Sequence, residues 1–282
     1  MEQRAVELTG DPTREEAEAA LTVAGTEPDG KFPLFEAALS CALHEYPGRD
    51  PAQARGLMDD AVHRLTERLK RERPEEALCE TLGGDLGLTG DMMTYDDPAN
   101  ADLIAVCERR KGLPVALGVF YLEAARRARL QVAGVDFPGH FLLRIETDEG
   151  PMALDPFAGG RLVMPSELTR RALQTGLTPD VADRMDRLMA PVTDRQVAIR
   201  LENIIFARAT YARDFGRAER SAMRRALIDP KDHHPWLDVA AAREGQGRLA
   251  GALEALGRAQ QLDGGVAIAA RAARERVRLR LN

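Results

Sequence analysis

Residues 103–160 read LIAVCERRKGLPVALGVFYLEAARRARLQVAGVDFPGHFLLRIETDEGPMALDPFAGG, and the hydrophobic period changes within them. After Gly-Leu-Pro at 112–114, apolar residues recur at helical spacing. Pro114 suits the first position of a helix, where a backbone N–H is not needed. From Val132 onward, short apolar stretches separated by Gly and Pro are typical of small antiparallel strands. The predicted strands cover residues 132–137, 140–146, 151–155 and 161–164.

The regions on both sides of this segment are predicted to be mainly helical, and the chain to divide into three parts. Residues 1–33 are polar and are expected to form a partly mobile N-terminus. Residues 34–190 form the main domain. In residues 191–282, which read as helices, Asp229 and Asp263 lie 34 residues apart, the period of a tetratricopeptide unit. The predicted fold class is α+β, with a helical N-terminal layer, a small antiparallel sheet and C-terminal helical repeats.

Composition limits the classes of protein to consider. The 282 residues carry a formal net charge of −6, which disfavours general binding to nucleic-acid backbones. The acidic N-terminus has no apolar core, so we expect no signal peptide, and no apolar run approaches the ~18 residues of a membrane span. We therefore expect a cytoplasmic protein without a membrane partner; the sequence leaves its oligomeric state open.

The residues that most often bind metals give no site signature. Cys41, Cys79 and Cys107 are well separated and form no C-x-x-C pair, which fits a reducing compartment and gives no zinc motif. His233 and His234 are adjacent in a turn that begins with Asp-Pro at 229–230, and adjacent side chains point in different directions on a helix. The sequence therefore predicts no metal site and no cofactor.

Two polar residues occupy positions suited to catalysis. His140 lies where a turn enters a strand, and Asp155 ends the next strand. A hairpin that joins these strands would bring the two side chains together, and a buried carboxylate would fix the imidazole tautomer and raise its basicity. The structural alternative is a turn hydrogen bond for His140 and a simple strand end for Asp155. The sequence predicts that the two residues form a hydrogen-bonded pair.

Four strings resemble bacterial transglutaminase-like proteins that have tetratricopeptide-like C-terminal repeats. They are YDDPANADL at 95–103, ERRKGLPVAL at 108–117, VDFPGHFLLR at 135–144 and LDPFAGGRL at 154–162. The resemblance covers most of the chain beyond residue 33. It implies a papain-like core and the Cys–His–Asp triad of the wider superfamily. The cysteine of that triad opens the helix before the first core strand, because a helix N-terminus stabilises a thiolate.

The resemblance assigns His140 and Asp155 to two triad positions and places Pro114 at the position of the cysteine. Proline has neither a thiol nor an N–H, so the nucleophile and one potential oxyanion donor are missing. Cys107 lies seven residues before Pro114. The break at Gly112 separates it from the nucleophile position, so we expect a buried structural cysteine.

A charged run precedes the helix at Glu108, Arg109 and Arg110. Such a run is usually a solvated face. The functional alternative is that Arg109 or Arg110 lines the cleft and binds an acidic group of a partner. Together with Tyr95, which opens the first resembling string, these residues are the candidate binding surface.

Two functions compete. The first is a non-catalytic binding or regulatory module whose cleft holds an extended peptide or a partner's terminus, which the missing nucleophile and the repeats favour. The second is an amide-bond hydrolase or acyltransferase that uses His140 and Asp155 with an unidentified nucleophile or water. A nucleic-acid role ranks third, because the basic C-terminus lacks interleaved aromatic residues. A protein or peptide partner is therefore expected, and whether the chain is an enzyme stays open.

Overall fold

The computed structural model describes residues 12–262 and 273–277. The expected mobile N-terminus, for residues 1–11, and most of the basic C-terminus lie outside the described residues. The described chain divides into two compact units. The central unit comprises Pro33–Ala42 and Asp50–Val197, and the helical unit comprises the described residues of Met1–Phe32, Leu43–Arg49 and Ala198–Asn282.

Helices dominate the described chain, and none of them is long and apolar enough to cross a membrane. The α-helices are α1 (Arg14–Thr26), α2 (Leu34–Glu45), α3 (Ala52–Arg68), α4 (Pro74–Cys79), α5 (Leu103–Arg109), α6 (Pro114–Arg127), α7 (Pro165–Gln174), α8 (Pro179–Ala182), α9 (Met185–Leu188), α10 (Asp194–Tyr211), α11 (Phe215–Ile228), α12 (His234–Gly245) and α13 (Leu249–Leu262). The strands are β1 (Thr89–Gly90), β2 (Lys111–Gly112), β3 (Val132–Val135), β4 (Leu142–Thr147), β5 (Gly150–Asp155), β6 (Arg161–Val163) and β7 (Pro191–Val192).

The main sheet of the central unit has five antiparallel strands in the order β6-β5-β4-β3-β7. Its centre is the β4–β5 hairpin, in which Leu143 pairs with Leu154. This sheet and the surrounding helices confirm the predicted α+β class. Two features were not expected: β7 adds a fifth strand beside β3, and β1 and β2 form a separate parallel pair.

Helix α6 lies at the core of the central unit, with every residue from Pro114 to Ala125 buried. It begins at Pro114, as the fixed φ of proline predicts. Gly118 allows α6 to approach the sheet closely, because a Cβ there would lie 2.4 Å from Cε1 of Phe141. Since Phe141 follows His140 directly, this close packing fixes the start of β4 and the turn that carries the histidine.

The helical unit has its own apolar core and a buried charged cluster. Trp236, Leu256 and Val277 belong to the apolar core. The cluster is centred on Arg224, whose side chain is 1% exposed and donates hydrogen bonds to Oε2 of Glu45 and Oε2 of Glu202, at 2.8 and 2.9 Å. A buried charge of this kind is stable only with such partners.

Candidate functional site

His140 and Asp155 are brought together, as the sequence predicts. Nε2 of His140 lies 2.8 Å from Oδ1 of Asp155. The aspartate ends β5 and its side chain is only 3% exposed, whereas the histidine side chain is 22% exposed. Gly139 has a φ of +71°, a conformation that favours glycine, and the His140 N–H donates to the carbonyl of Phe137 at 2.9 Å. This tight turn directs the imidazole back toward the end of β5.

Asp155 has further partners on both carboxylate oxygens. Oδ1 also accepts the backbone N–H of Phe157 at 3.1 Å, and Oδ2 accepts Nη1 of Arg171 at 2.9 Å. Burial alone would raise the pKa of Asp155, but the hydrogen bonds and charges of His140 and Arg171 outweigh it and hold the pKa below its usual value. The carboxylate is therefore ionised and fixed in orientation beside the imidazole.

Three rings form a row that starts at the histidine. The ring of Phe157 lies edge-on to that of His140, with centroids 6.2 Å apart, and edge-on to that of Tyr95 at 5.8 Å. Gly90 lies against Phe157, because a Cβ on Gly90 would be 2.3 Å from Cδ2 of the ring. We call Tyr95, Phe157 and His140 the aromatic row; through it the structure joins the predicted binding residue Tyr95 to the histidine.

The loop that carries Tyr95 is fixed from inside by Asp91. This carboxylate, 3% exposed, accepts the hydroxyl of Thr94 at 2.6 Å and the guanidinium of Arg109 at 2.8 Å. The pKa of Asp91 lies well below its usual range. The main cause is the hydrogen bonds from the hydroxyl and the N–H of Thr94, and other donors of the loop add to it. Arg109 also donates to Oδ1 of Asn100 at 3.2 Å. Arg109 therefore acts as a clamp: it contacts both Asp91 and Asn100 and so holds the two ends of residues 91–100 together.

The other two charged residues of the predicted binding surface have different surroundings. Glu108 is exposed on α5. Arg110 ends that helix in the left-handed conformation, with a φ of +59°, and its carbonyl accepts the N–H of Thr89 at 3.0 Å. Its backbone thus extends the contact between β1 and β2, and its side chain is half-buried.

The N-terminus of α6 is held in place by the loop of Asn100. The N–H of Leu113 donates to the Asn100 carbonyl at 2.8 Å, and Pro114 is the first helical residue. Among the described residues, no side chain caps this end of the helix. The N–H groups of Val115 and Ala116 have no acceptor within the helix, so this end carries the positive part of the helix dipole.

A family model described as the transglutaminase-like superfamily matches residues 52–203, which include α6 and the whole of the aromatic row. The chain belongs to the transglutaminase-like superfamily. The resemblance inferred from the four strings is confirmed at this level.

Bacterial relatives place this transglutaminase-like chain among the UPF0162 proteins. A UPF0162 protein of Xylella fastidiosa (strain Temecula1) is 34% identical over 248 residues, which cover 84% of this chain and 86% of the relative. One of Pseudomonas aeruginosa is 32% identical over 169 residues, 58% of this chain and 56% of the relative. F-box only protein 21 of Mus musculus is 35% identical over 69 residues, 24% of this chain and 11% of that protein. No solved structure matches the chain significantly.

Two of the cysteines of this transglutaminase-like chain, Cys79 and Cys107, have thiol pKa values that are raised, and the third, Cys41, is buried. Cys107 is 0% exposed, and burial raises the pKa of its thiol. Cys79 is half-buried and donates to the carbonyl of Gly160 at 2.6 Å. Burial, with the nearby charges of Glu80 and other acidic residues, raises its pKa to about 12. The Cys79 and Cys107 thiols are therefore protonated at neutral pH.

Sequence reasoning missed three residues that hold this transglutaminase-like site in place. Phe157 lies in the quoted string LDPFAGGRL, in which Asp155 is the residue with a typical catalytic side chain. Asp91 and Arg171 have no local motif, because each acts through a contact with a residue distant in sequence. The signal that could have found Asp91 is its position in a Gly- and Asp-rich turn region, where a buried carboxylate often accepts loop N–H groups.

Proposed function

We propose that this transglutaminase-like protein binds a protein or peptide without catalysing a reaction on it. The observation that carries the proposal is the exposure of Met92 and Met93, whose residues are 83% and 88% exposed on the loop that also carries Tyr95. Large apolar side chains held in water on a fixed loop are unfavourable for an isolated protein and typical of a binding surface. Methionine suits this role because its flexible side chain adapts to different apolar partners.

The fixed loop backbone supports the same proposal. Asp91 accepts the N–H groups of Met93 and Thr94 at 3.1 and 2.9 Å, so the main chain beside the methionines is ordered before a partner arrives. Binding to an ordered loop costs less conformational entropy than binding to a mobile one. The aromatic row, in which Tyr95 is exposed and Phe157 and His140 are half-buried, continues this surface, and an extended peptide could contact both.

The non-catalytic part of the proposal rests on the missing nucleophile. We infer that Pro114 occupies the position of the superfamily cysteine, since it opens the buried helix α6 that precedes the first strand of the main sheet. The native thiols do not replace it, because burial raises the pKa of Cys107 and keeps that of Cys79 at about 12.

The geometry of His140 and Asp155 favours one alternative, an amide-bond hydrolase or acyltransferase. A histidine 2.8 Å from a buried carboxylate is oriented as a general base would be, and it could activate a water. The assay is amine incorporation and peptide hydrolysis by the wild-type protein, with His140→Ala as the control. We expect no turnover; turnover that is lost in the control would establish the alternative.

The helical unit is proposed to contribute a second surface. Its helices α11, α12 and α13 follow one another with short connections and share the core around Trp236. This arrangement supports the tetratricopeptide-like interpretation of residues 191–282, with residues 34–190 as the transglutaminase-like domain. We further propose that the protein acts in the cytoplasm.

Peptide selection tests the binding proposal. Random phage-displayed peptides are selected on the wild-type protein, and their affinities are then measured for Met92→Ser/Met93→Ser. We expect at least about a tenfold loss, since the variant removes the exposed apolar atoms and leaves the Asp91 clamp intact. Tyr211→Ser is the matched control, because Tyr211 is 93% exposed but lies in the helical unit. Peptides that bind both variants as tightly as the wild type would contradict the proposal.

A further inference from the structure

The turn between α11 and α12 brings three metal-ligating side chains together. Asp232, His233 and His234 each offer one ligand atom, and these atoms all lie within 4.8 Å of one another. Oδ1 of Asp232 is 2.7 Å from Nδ1 of His234, and the two imidazole rings stack with centroids 4.0 Å apart. The cluster belongs to the helical unit and contains none of the residues on which the peptide-binding proposal rests.

The local backbone explains why the two histidines converge, contrary to the sequence expectation. The sequence put both in a turn and predicted that their side chains would diverge. His233 directly precedes α12, with a φ of −84° and a ψ of −21°, and His234 is the first residue of the helix. The N–H of Asp232 donates to the carbonyl of Asp229 at 3.2 Å, and Oδ1 of Asp232 accepts the N–H of His234 at 3.0 Å. The turn therefore folds the carboxylate over the helix start and sets the imidazoles side by side.

We propose that this turn binds one divalent transition-metal ion, and that this ion is Zn²⁺. Two imidazoles and one carboxylate are a common donor set for zinc, and imidazole also suits Cu²⁺ and Ni²⁺. The carboxylate contributes a negative charge that compensates part of the charge of the ion. The side chain of His234 is 71% exposed, so its ring rotates into ligand geometry without disturbing the core. Water or a ligand from a partner completes the coordination.

Bound metal would hold the turn before α12 against the first residue of that helix. The ligands are consecutive, so the ion closes only a short loop, and its main effect is to hold the helix start in its folded form. An ion that binds only the folded state also raises the melting temperature. This gives the proposal a readout of stability in addition to one of binding.

The test uses the untagged full-length chain and two metals. Titration calorimetry with Zn²⁺ measures affinity and stoichiometry, and electron paramagnetic resonance of one equivalent of Cu²⁺ reports the number of nitrogen ligands. We expect one ion per chain with two imidazole nitrogens. His233→Ala and His234→Ala should each weaken binding by about tenfold or more and remove the rise in melting temperature with Zn²⁺.

His63→Ala is the matched control, because His63 is an exposed histidine on α3 in the other unit. It should bind Zn²⁺ like the wild type. Unchanged affinity in both His233→Ala and His234→Ala would overturn the proposal, as would an equal loss in His63→Ala or a wild-type dissociation constant weaker than about 1 mM. Since all three substituted residues lie at least partly in solvent, circular dichroism should show the same helix content for each variant.

Discussion

Arg171 donates to Oδ2 of Asp155 at 2.9 Å, on the carboxylate oxygen that His140 does not contact. The aspartate thus has one side-chain partner on each oxygen, and it is almost fully buried. A buried carboxylate that loses a charged partner keeps its desolvation penalty without the compensating interaction. Arg171 is therefore a stabilising residue of the central unit as well as a positioning residue for the imidazole.

Removing this guanidinium should destabilise the fold. Arg171→Ala is expected to lower the free energy of unfolding by about 2 kcal/mol, the usual value of a hydrogen bond to a charged group. Urea denaturation at pH 7 measures it. Arg161→Ala is the control: its side chain is 50% exposed and contacts Glu167, so its loss should cost well under about 1 kcal/mol. If both variants lose the same free energy of unfolding, the contact of Arg171 with Asp155 contributes no more to stability than an exposed ion pair.

A methyl group at Gly90 should disturb the aromatic row. Its Cβ would lie 2.3 Å from the Phe157 ring, so Gly90→Ala must displace that ring, at a cost of about 1–3 kcal/mol. Gly56→Ala serves as the comparison, since a Cβ at this exposed position on α3 meets no atom within 4 Å. It should stabilise the protein by about 0.5–1 kcal/mol. Thermal unfolding should show a lower melting temperature for Gly90→Ala and a higher one for Gly56→Ala. An unchanged melting temperature in Gly90→Ala would contradict the close packing.

Local pattern was sufficient to predict four of the five strands of the main sheet and the helix before it. Pro114 begins α6 because a fixed φ and a missing N–H suit that position, and Asp155 ends β5 where the apolar stretch stops. Strand β7, Pro191–Val192, could not be predicted in this way. Two residues carry no period, and the strand forms because β3 offers an open edge.

The residues of the candidate site also differ in how far the local sequence predicts their contacts. The contact of His140 with Asp155 follows from a hairpin, which is a local arrangement. The clamp of Arg109 on Asp91 joins residues 18 apart, and charge patterning alone left only a solvated face or a cleft for Arg109. The Arg109 side chain points inward only because the loop that carries Asp91 folds over α5. Likewise, the approach of His233 and His234 depends on the turn before α12, in which Oδ1 of Asp232 contacts both the N–H and Nδ1 of His234.

The buried cluster of the helical unit should make stability depend on pH through His44. Burial and the charge of Arg224 lower the pKa of His44 below its usual 6.5, against the opposing effects of Glu18. The folded state therefore binds this proton less readily than the unfolded state. The contribution of His44 is fully present above pH 6.5 and is lost as the pH falls toward the lowered value.

Urea denaturation between pH 5 and 8 measures this dependence. Glu45 stays ionised over the range: burial alone would raise its pKa, but hydrogen bonds from Arg220 and Arg224 bring it to about 2. We expect the fall in stability between pH 7 and 5 to shrink in His44→Gln and to remain in His63→Gln, whose histidine is exposed. The same pH dependence in all three proteins would exclude His44 as its source.

A thiol placed at the start of α6 should test whether Pro114 stands in the nucleophile position. In Pro114→Cys, the unneutralised helix N-terminus stabilises a thiolate, and His140 would add to this effect if it lies within reach. Iodoacetamide labelling at pH 7, followed by mass spectrometry, distinguishes the new thiol from the native ones. The native cysteines should react slowly, because Cys107 is fully buried and the pKa of Cys79 is about 12.

The decisive comparison for this variant is with Pro114→Cys/His140→Ala. If His140 shares the proton of the new thiol, labelling should be about tenfold slower in the double variant, because the thiolate fraction at pH 7 falls as the thiol pKa rises toward its free value. Equal rates would mean that the helix start does not face His140, and Pro114 would then not occupy the superfamily cysteine position. Fast labelling of Cys107 in the wild type would contradict a different expectation, namely that burial makes this thiol unreactive. A reactive thiol in Pro114→Cys would not by itself allow acylation, since acylation also requires an oxyanion site.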